Sequence, residues 1–391
     1  TFNEQRNLDW VKYGSDNLFP NKLQELSNRS ALHNAIISSK VDNACGGGVT
    51  YSDEEHKKTE MFIASVNGLE SLEDFIRKIS YDYILYGGYA INVIWSKDHK
   101  SIAEIHHIDF SKIRCGKQNE RGEIETYWYS KDWANYRKAE YEPQEIPAFS
   151  FDEKKRKAAS QLMYVKEYRP GADYYPLPSY VGALAYIEID TEIANFHLAH
   201  IKNGMQPSVM INFNNGIPTT EERKKIERQI ESKYNGTDNA GKFILTFSDD
   251  KDKAPTVTTL TPSQLDKQFI QLQDTVLQNI LSGHKVVSPM IVGIKTEGQL
   301  GGANELENAF NIYTNTVIRP IQEIVLRSIN TITRINGLME ISIIPSTPVE
   351  FTFSEGVLTS IMTKNEMREK IGLPKIEFPD PSSVDNEEET E

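Results

Sequence analysis

The side chains best suited to chemistry in this sequence are two adjacent histidines and a nearby aspartate, His106, His107 and Asp109. Imidazole and carboxylate groups are common zinc ligands, so this cluster is the first candidate metal site. Its spacing lacks the HExxH pattern, and successive residues of a strand point to opposite faces of a sheet, which separates the two rings. We therefore predict a strand at this cluster in preference to a metal site.

Other candidate binding motifs are equally incomplete. His197 and His200 lie three residues apart in a predicted helix, a spacing more typical of polar residues at a helix contact than of metal ligands. The glycine triplet at 46–48 is not part of a GxxxxGK[ST] phosphate loop, which favours a helix end and a loop. Cys45 and Cys115 are the two cysteines and form no CxxC motif, so a reducing compartment is favoured and one disulfide stays an alternative.

The sequence also lacks the common catalytic signatures. It contains no GxSxG, Rossmann GxGxxG, Walker or HExxH motif. We therefore predict a protein that is not an enzyme and that uses no cofactor. A metal-dependent nuclease stays an alternative, because the carboxylates of a two-metal site can be scattered along a sequence.

Composition narrows the class of protein further. The chain has 391 residues, 38% of them hydrophobic, which is ordinary for a soluble protein with room for two or three domains. No apolar run approaches the length of a membrane-spanning helix, so we predict no membrane partner. The formal charge is −13, from 43 basic and 56 acidic residues, which argues against tight, phosphate-gripping binding of nucleic acid.

Among the predicted secondary-structure elements, the clearest pattern is a helix, a glycine-rich loop and a longer helix between residues 261 and 337. The string Thr-Pro-Ser-Gln at 261–264 is a capping box with proline at the first helical position. Glycines between 293 and 302 interrupt the pattern, and a second helix is predicted from 304 with Pro320 as its kink. The apolar positions of the first helix are Leu265, Phe269, Leu272, Val276 and Ile280.

A small βαββ unit precedes that pattern. Strands are predicted at 207–213, 242–247 and 255–260, with a helix that Thr219 and Glu222 begin as a capping box. The helix predicted at 181–203 leads out to this unit, and the helix at 264–281 leads back. The first of these is apolar around most of its circumference, which predicts contacts on several sides. The fold class is therefore α+β, with an elongated subunit that buries helices against copies of itself in closed cyclic symmetry.

The remaining segments read as mixed structure. Helices are predicted at 30–43 and from Ser71, strands at 90–95, across 102–151 and at 340–344, and a charged surface loop at 152–157. Beyond these we predict a strand at 349–353 and a capped short helix from Thr363. The last residues, 381–391, form a predicted acidic disordered tail.

The order of these elements resembles the portal, or head-to-tail connector, proteins of tailed bacteriophages, and the resemblance covers most of the chain. Three stretches carry it: the apolar-glycine-aromatic stretch at 83–90, the helix end with Asn-Gly and a strand at 196–208, and the threonine, Asn-Glu and arginine pattern at 363–368 followed by Gly-Leu-Pro at 372–374. Two features differ from the family. The loop is richer in glycine, and no long crown follows.

The resemblance implies a division of the chain into portal regions. These are the wing at 1–175, stem helices at 176–203 and 261–283, the clip at 204–260, a tunnel loop at 284–303, the long kinked wing helix at 304–337 and a C-terminal wing or small crown at 338–380. It also implies a dodecameric ring at one capsid vertex, through which double-stranded DNA is packaged and ejected. The alternative within the same class is another ring-forming virion protein, such as a connector adaptor or a minor head protein.

The resemblance further implies partners and contact residues. The partners are terminase, head-completion adaptor and tail proteins, and the major capsid and scaffolding proteins, in the host cytoplasm during assembly and then in the virion. An acidic or neutral channel lining would repel DNA and keep it centred. Within the tunnel loop, Lys295 either touches phosphate transiently or pairs with a neighbouring subunit's carboxylate. The residues expected to face DNA are Ser288, Lys295, Thr296, Glu297 and Gln299. The clip residues expected to contact terminase or adaptor are Arg223, Lys224, Glu227, Arg228 and Glu231.

Overall fold

The computed structural model describes residues 4–52, 56–202, 208–213, 219–234, 243–247, 256–260, 265–294 and 303–346, and it is a mixed α and β structure. In this part of the chain the helices are α1 Phe19–Arg29, α2 Ala31–Cys45, α3 Lys57–Ala64, α4 Leu72–Tyr86, α5 Leu184–Lys202, α6 Thr220–Tyr234, α7 Leu265–Gly283, α8 Ala303–Tyr313 and α9 Arg319–Ile335. The strands are β1 Val49–Tyr51, β2 Gly88–Trp95, β3 Ile102–Ile108, β4 Ile113–Cys115, β5 Thr126–Tyr129, β6 Gln144–Pro147, β7 Ser160–Lys166, β8 Ser208–Phe213, β9 Phe243–Phe247, β10 Thr256–Leu260 and β11 Ile341–Ile343.

The join between α4 and β2 lies at the centre of the N-terminal region. The Ser71 hydroxyl accepts a hydrogen bond from the Asp74 backbone N–H at 3.1 Å, which begins α4 as the capping box predicts. The helix ends at Gly87, whose φ of 83° is the left-handed conformation that favours glycine. At Gly88 an added Cβ would lie 2.7 Å from the Val165 carbonyl oxygen, so β2 and β7 approach closely there. The backbone conformation at Gly87 and the close strand approach at Gly88 thus explain both glycines of the 83–90 stretch.

Two antiparallel sheets follow from this join. In the first, β2 lies between β3 and β7, and its buried side chains pack with the apolar face of α4. The second sheet has the order β4-β5-β6. An aromatic cluster closes the second sheet, where the Trp10 ring lies 5.7 Å from Trp128 and 5.3 Å from Trp133. The N-terminal segment is therefore part of the core, because its tryptophan fills the space beside this sheet.

The long C-terminal helical segment packs on the first sheet. The buried residues Val325, Ile329 and Ile332 of α9 fall on one face at helical spacing. The Tyr89 hydroxyl of β2 lies 2.7 Å from the Ser328 hydroxyl, which ties the strand to that face. Strand β11 then pairs with β1, so residues near 343 return to the N-terminal region.

The βαββ pattern predicted at 204–260 is present as β8, α6, β9 and β10. Strand β8 is central, parallel to β9 and antiparallel to β10. Helix α6 connects β8 to β9, as a crossover between parallel strands requires. The preceding helix is shorter at its start than predicted, since residues Val181–Ala183 form a 3₁₀ turn before α5.

Several features differ from the sequence predictions. Helices α1 and α3 and strand β7 were not predicted. The charged segment 152–157 was predicted to be a surface loop, yet Arg156 is buried. Its guanidinium carbon lies 4.3 Å from the Trp95 ring centroid, and one nitrogen donates to the Phe151 carbonyl at 3.0 Å. A planar cation that stacks on an aromatic ring and binds carbonyls can be buried where a lysine would stay in water.

Candidate functional site

The predicted clip residues lie on α6, which begins with a complete capping box. The Thr219 backbone N–H donates to the Glu222 carboxylate at 2.9 Å, and the Glu222 N–H donates back to the Thr219 hydroxyl at 3.4 Å. The bonds that the Thr219 backbone N–H and then the Thr219 hydroxyl donate to the carboxylate lower the pKa of Glu222. Arg223, Lys224 and Arg228 are exposed on the helix. Glu227 and Glu231 belong to the same helix, but their side chains lie outside the described residues.

The predicted tunnel loop is described only over its first part. Ser288 is half-buried and precedes a 3₁₀ turn, Pro289–Val292, that ends at Gly293 with a φ of 76°. Pro289 and Val292 are buried, so this part of the loop is anchored in the core. The other predicted loop residues, Lys295, Thr296, Glu297 and Gln299, lie outside the described residues.

Pro320 lies at the second residue of α9, directly after a π-helical turn, Thr314–Ile318. A proline has no N–H and its ring collides with the carbonyl four residues earlier, here that of Thr316. Widening the preceding turn relieves this collision, which gives the π turn a local cause. The kink itself stays a prediction.

Helices α5 and α7 pack against each other as an antiparallel pair, the helical hairpin. In this hairpin His197 Nε2 lies 3.4 Å from Gln273 Nε2, which places the predicted polar contact between the two helices. Large apolar side chains nevertheless face solvent along the hairpin. Their exposed fractions are 45% for Phe196, 51% for Leu198, 60% for Ile201 and 38% for Leu272. Each of these side chains gains free energy when another surface covers it.

At the end of α7 two histidines meet inside the protein. His33 of α2 and His284, the residue after α7, are fully buried, with Nδ1 of the first 2.8 Å from Nε2 of the second. The Tyr180 ring stacks on His284 at 4.7 Å and donates its hydroxyl proton to the Leu85 carbonyl. Burial, then the charge of Lys40, lowers the pKa of His33 to about 3, and the same causes lower the pKa of His284. Both rings are therefore neutral at pH 7.

Each ring of this pair keeps one nitrogen without a hydrogen-bond partner in the described part of the protein. These atoms are His33 Nε2 and His284 Nδ1. Two neutral imidazoles carry one N–H each and share a single contact, so one donor or acceptor on each ring is left over. The pair is thus a packed connection between α2 and α7 whose polar groups are only half satisfied.

Two lysines lie beside the histidine pair. Lys40 of α2 is only 3% exposed, while Lys285 is exposed at the end of α7. Both line a small cavity of about 90 Å³ between α2, α4, the turn before α5 and the π turn. Burial first, then repulsion from Lys285, lowers the pKa of Lys40 to about 7. We name this cavity the lysine pocket.

The histidine cluster found first in the sequence has an ordinary structural role. His107 Nε2 lies 2.8 Å from Asp82 Oδ2, and His106 Nε2 lies 2.9 Å from Glu104 Oε2. Burial raises the pKa of Asp82 to about 6, against the opposing effect of the hydrogen bond from His107. Within the described ranges no group of three or more His, Cys, Asp or Glu side chains could hold a metal ion. Cys45 and Cys115 are free thiols.

Sequence reasoning missed the lysine pocket, although α2 carries a signal for it. The buried residues of this helix recur at three- and four-residue steps, and Lys40 occupies one of these apolar positions. A lysine at a position that is otherwise apolar indicates either an unfavourable buried charge or a binding site. The partners Lys285 and His284 lie about 250 residues away, so only the fold reveals them.

Comparison with solved structures places the fold in one class. The chain is similar to a chain of the neck of an empty gene transfer agent particle computed with C6 symmetry, at a TM-score of 0.57 and 13% identity, covering 91% of this chain and 94% of that one. A chain of the neck of the native particle computed with C12 symmetry matches at 0.55 and 14% identity, covering 91% and 95%. The architecture is thus that of these virion neck subunits.

The family follows from the sequence comparison. A model of the family described as "Phage portal protein" matches residues 46–343, more than half of the chain. The chain therefore belongs to the phage portal protein family, the head-to-tail connectors of bacteriophage virions. The resemblance predicted from the sequence is confirmed.

Curated relatives match over about half of the chain. An uncharacterized protein of Rickettsia bellii is 24% identical over 226 residues, which are 56% of this chain and 57% of that protein. A probable portal protein of Haemophilus phage HP1 is 22% identical over 183 residues, 47% and 52% of the two chains. The chain spans about half the length of the curated relatives that it matches.

No helix among the described residues is both long and apolar enough to cross a lipid bilayer.

Proposed function

We propose that this chain is the subunit of a ring-shaped portal, a dodecamer at one capsid vertex through which double-stranded DNA passes during packaging and ejection. The observation that carries the proposal is the portal-family match over residues 46–343, which spans the helical hairpin, the βαββ unit and the long helical segment. The family is structural, which favours a protein without catalytic activity. The subunit acts in the host cytoplasm during assembly and then in the virion.

The exposed apolar hairpin supports ring formation. Phe196, Leu198 and Ile201 are each about half exposed on α5, a helix that the sequence makes apolar around most of its circumference. Covering the exposed half of such a side chain contributes about 1 kcal/mol, so the hairpin gains free energy when neighbouring copies cover it. Closed symmetry lets every copy bury the same surface without forming fibres.

The remaining regions take portal roles in this proposal. The N-terminal α and β region with the long helical segment forms the wing, α5 and α7 the stem, the βαββ unit the clip, and residues 284–303 the tunnel loop. The exposed Arg223, Lys224 and Arg228 of α6 give the clip a charged surface for terminase, head-completion adaptor and tail proteins. Capsid and scaffolding proteins meet the wing.

The charge balance fits passage of DNA in preference to capture. With 56 acidic and 43 basic residues the ring repels the phosphate backbone on average, so DNA slides without the counterion release that drives tight binding. Contacts from the tunnel loop, including Lys295, are then transient.

Electron microscopy of the purified chain tests the proposal. We expect rings with a central hole and twelve subunits. Monomers that cleave DNA when Mg²⁺ is added would favour the nuclease, and neither rings nor cleavage would favour a connector adaptor or minor head protein. Leu198→Gln with Ile201→Gln should reduce the yield of rings, because polar groups replace the apolar contact. Leu69→Gln is the matched control, since Leu69 is 90% exposed outside the hairpin, and it should form rings as the wild type does.

A further inference from the structure

Lys40 is a buried cation without a partner. Its exposed fraction is 3%, and its neighbours on the same face of α2 are the buried Ile36, Ile37, Val41 and Ala44. In the described part of the chain its ammonium group has no hydrogen bond and no ion pair. An unpaired buried charge is strongly unfavourable, so such a group is paired by an opposite charge or its pKa moves towards the neutral form.

The groups that line the lysine pocket leave positive charge over. Lys40 and Lys285 supply two cations, and Glu167 supplies one carboxylate. No ion pair joins Glu167 to either lysine within the described residues. The neutral lining groups are Tyr83, Ile84, Ser179, Thr316, Val317, Pro320 and Ile321. When Lys40 is protonated, the pocket therefore lacks one negative charge.

The shape of the site limits what can supply that charge. The lysine pocket holds about 90 Å³, the volume of roughly three water molecules. Lys285, Thr316 and Val317 also line an adjoining groove of about 620 Å³, whose other walls include Leu281, Val286 and Pro289. The small cavity fits one carboxylate side chain, and the larger groove, whose lining mixes apolar side chains with Gln278, Ser282 and Thr316, fits the segment of chain that carries it.

We propose that the lysine pocket binds an aspartate or glutamate side chain from a second copy of this chain, and that the adjoining groove binds the residues around that side chain. This proposal rests on the proposed function, because a ring brings the same surface of each subunit against its neighbour. The chain is rich in acidic side chains, 56 against 43 basic ones, so a copy of itself offers the missing charge. Val287, about half exposed beside the groove, adds an apolar contact at the same interface.

A DNA phosphate fits this site poorly. A duplex carries its phosphates on a rigid rod whose width keeps them outside a cavity of 90 Å³. A carboxylate on a flexible stem enters and pairs with both ammonium groups. The mixed polar and apolar lining of the groove also favours a peptide, since its apolar part, Leu281, Val286 and Pro289, gains nothing from phosphate.

Charge-removing variants test the proposal by separating the stability of the subunit from its assembly. Lys40→Met keeps an unbranched side chain, one atom shorter, and removes the charge. We expect the dilute, unassembled chain to unfold at a higher urea concentration than the wild type, yet to need at least about tenfold more protein to form rings. Lys285→Met, at an exposed position, should weaken assembly with little change in unfolding. Lys131→Met, at an exposed position elsewhere, should change neither property.

Cross-linking identifies the partner carboxylate directly. A carbodiimide joins an amine to a carboxylate in contact, forming an amide while the reagent takes up the water that is lost. Rings assembled from equal parts of ¹⁵N-labelled and unlabelled wild-type chain should give peptides in which Lys40 or Lys285 of one isotope is bonded to Asp or Glu of the other. Mass spectrometry reads the pairs, and Lys131 should yield none.

The outcomes separate this proposal from the proposed function. If Lys40→Met forms rings at the same protein concentration as the wild type, the pocket contact is overturned and the portal function stands. Cross-links only within one isotope would likewise overturn it, with Glu167 as the partner. If duplex DNA protects Lys40 and Lys285 from the carbodiimide reaction and ring assembly does not, the missing charge is a phosphate and the contact with a second copy is overturned. A wild-type chain that stays monomeric would overturn the portal function and this contact together.

Discussion

Arg114 and Lys40 are both buried cations, but the chain satisfies only one of them. Arg114 is fully buried, and its nitrogens donate to Asn17 Oδ1 at 2.7 Å, to the Asn17 carbonyl at 2.6 Å and to the Ser111 carbonyl at 2.8 Å. Its guanidinium carbon also lies 4.7 Å from the Trp133 ring centroid. Lys40 has no comparable contact in the described part of the chain.

The difference separates a buried cation that is paired within its own chain from one that is not. Arg114 finds its acceptors at Asn17 and Ser111 of the same chain, although Asn17 Nδ2 and Trp10 Nε1 in this region have no partner among the described residues. The junction between α2 and α7 leaves one nitrogen of each buried histidine unsatisfied, and Lys40 has no ion pair among the described residues. Unsatisfied groups of this kind are costly in a monomer and become favourable when a partner supplies the missing charge.

The largest expected effect comes from removing the satisfied cation. Arg114→Met removes the arginine donors from the Asn17 and Ser111 carbonyl oxygens and one of two donors from Asn17 Oδ1, which keeps the Tyr13 N–H. This loss of buried hydrogen bonds should lower the free energy of unfolding by about 3–5 kcal/mol. Urea unfolding followed by circular dichroism measures this change. Arg137→Met, on an exposed arginine, is the control and should stay within about 0.5 kcal/mol of the wild type. Equal values for the two variants would show that the Arg114 contacts add no stability.

Removing the unpaired cation, Lys40, should raise the free energy of unfolding instead of lowering it. At pH 7, Lys40→Met should raise the free energy of unfolding of the unassembled chain by about 1–4 kcal/mol, because an apolar side chain replaces an unpaired charge. The pKa of Lys40 is lowered from 10.5 to about 7 in the folded chain. Between these values the unfolded state binds more protons, so wild-type stability rises with pH.

The gap between Lys40→Met and the wild type should therefore narrow from pH 7 towards pH 10. Unfolding of both proteins at each pH measures it, and the subtraction removes the contributions of tyrosines and cysteines that titrate in both. A gap that is constant across this range would mean that Lys40 is charged in the folded chain at all these pH values. It would place the missing partner inside the monomer.

The sequence predicted those parts of the fold whose signal lies in neighbouring residues. The capping boxes at Ser71 and Thr219 fixed the starts of α4 and α6, because the residues that cap a helix are sequence neighbours. Helix α1 was missed since its N-cap position is Leu18, which offers no side-chain hydrogen bond, and the stretch around it reads as turns.

The junction depends instead on contacts between distant residues. His33 and His284 are far apart in sequence, and neither lies in a recognisable motif. Lys40 alone left a trace, as a charge on an apolar helix face. The predicted loop residues from Lys295 to Gln299 lie outside the described residues, so their role stays a prediction.

A smaller effect should come from the glycine that lets α7 reach the junction. At Gly283 an added Cβ would lie 2.4 Å from the Ala183 Cβ, closer than real contacts allow. Gly283→Ala should therefore lower the free energy of unfolding by about 1–3 kcal/mol, since α7 must shift away from the turn before α5. Gly182→Ala is the matched control, because a Cβ there meets nothing within 4 Å. Equal stability of the two variants would show that the approach of α7 at the junction is not constrained.

The smallest effect on stability should come from Lys285→Met, which also gives the sharpest view of Lys40. Lys285 is exposed, so its replacement should change the free energy of unfolding by no more than about 0.5 kcal/mol. Its charge is the second cause, after burial, of the lowered pKa of Lys40, so that pKa should rise in the variant. Nuclear magnetic resonance of ¹³C-labelled lysine measures the titration, with Lys40→Met to assign the signal and Lys131→Met as the control. An unchanged Lys40 titration would show that the two ammonium groups do not interact across the pocket. One carboxylate could then not serve both, and the contact proposed for the second copy would reduce to Lys40 alone.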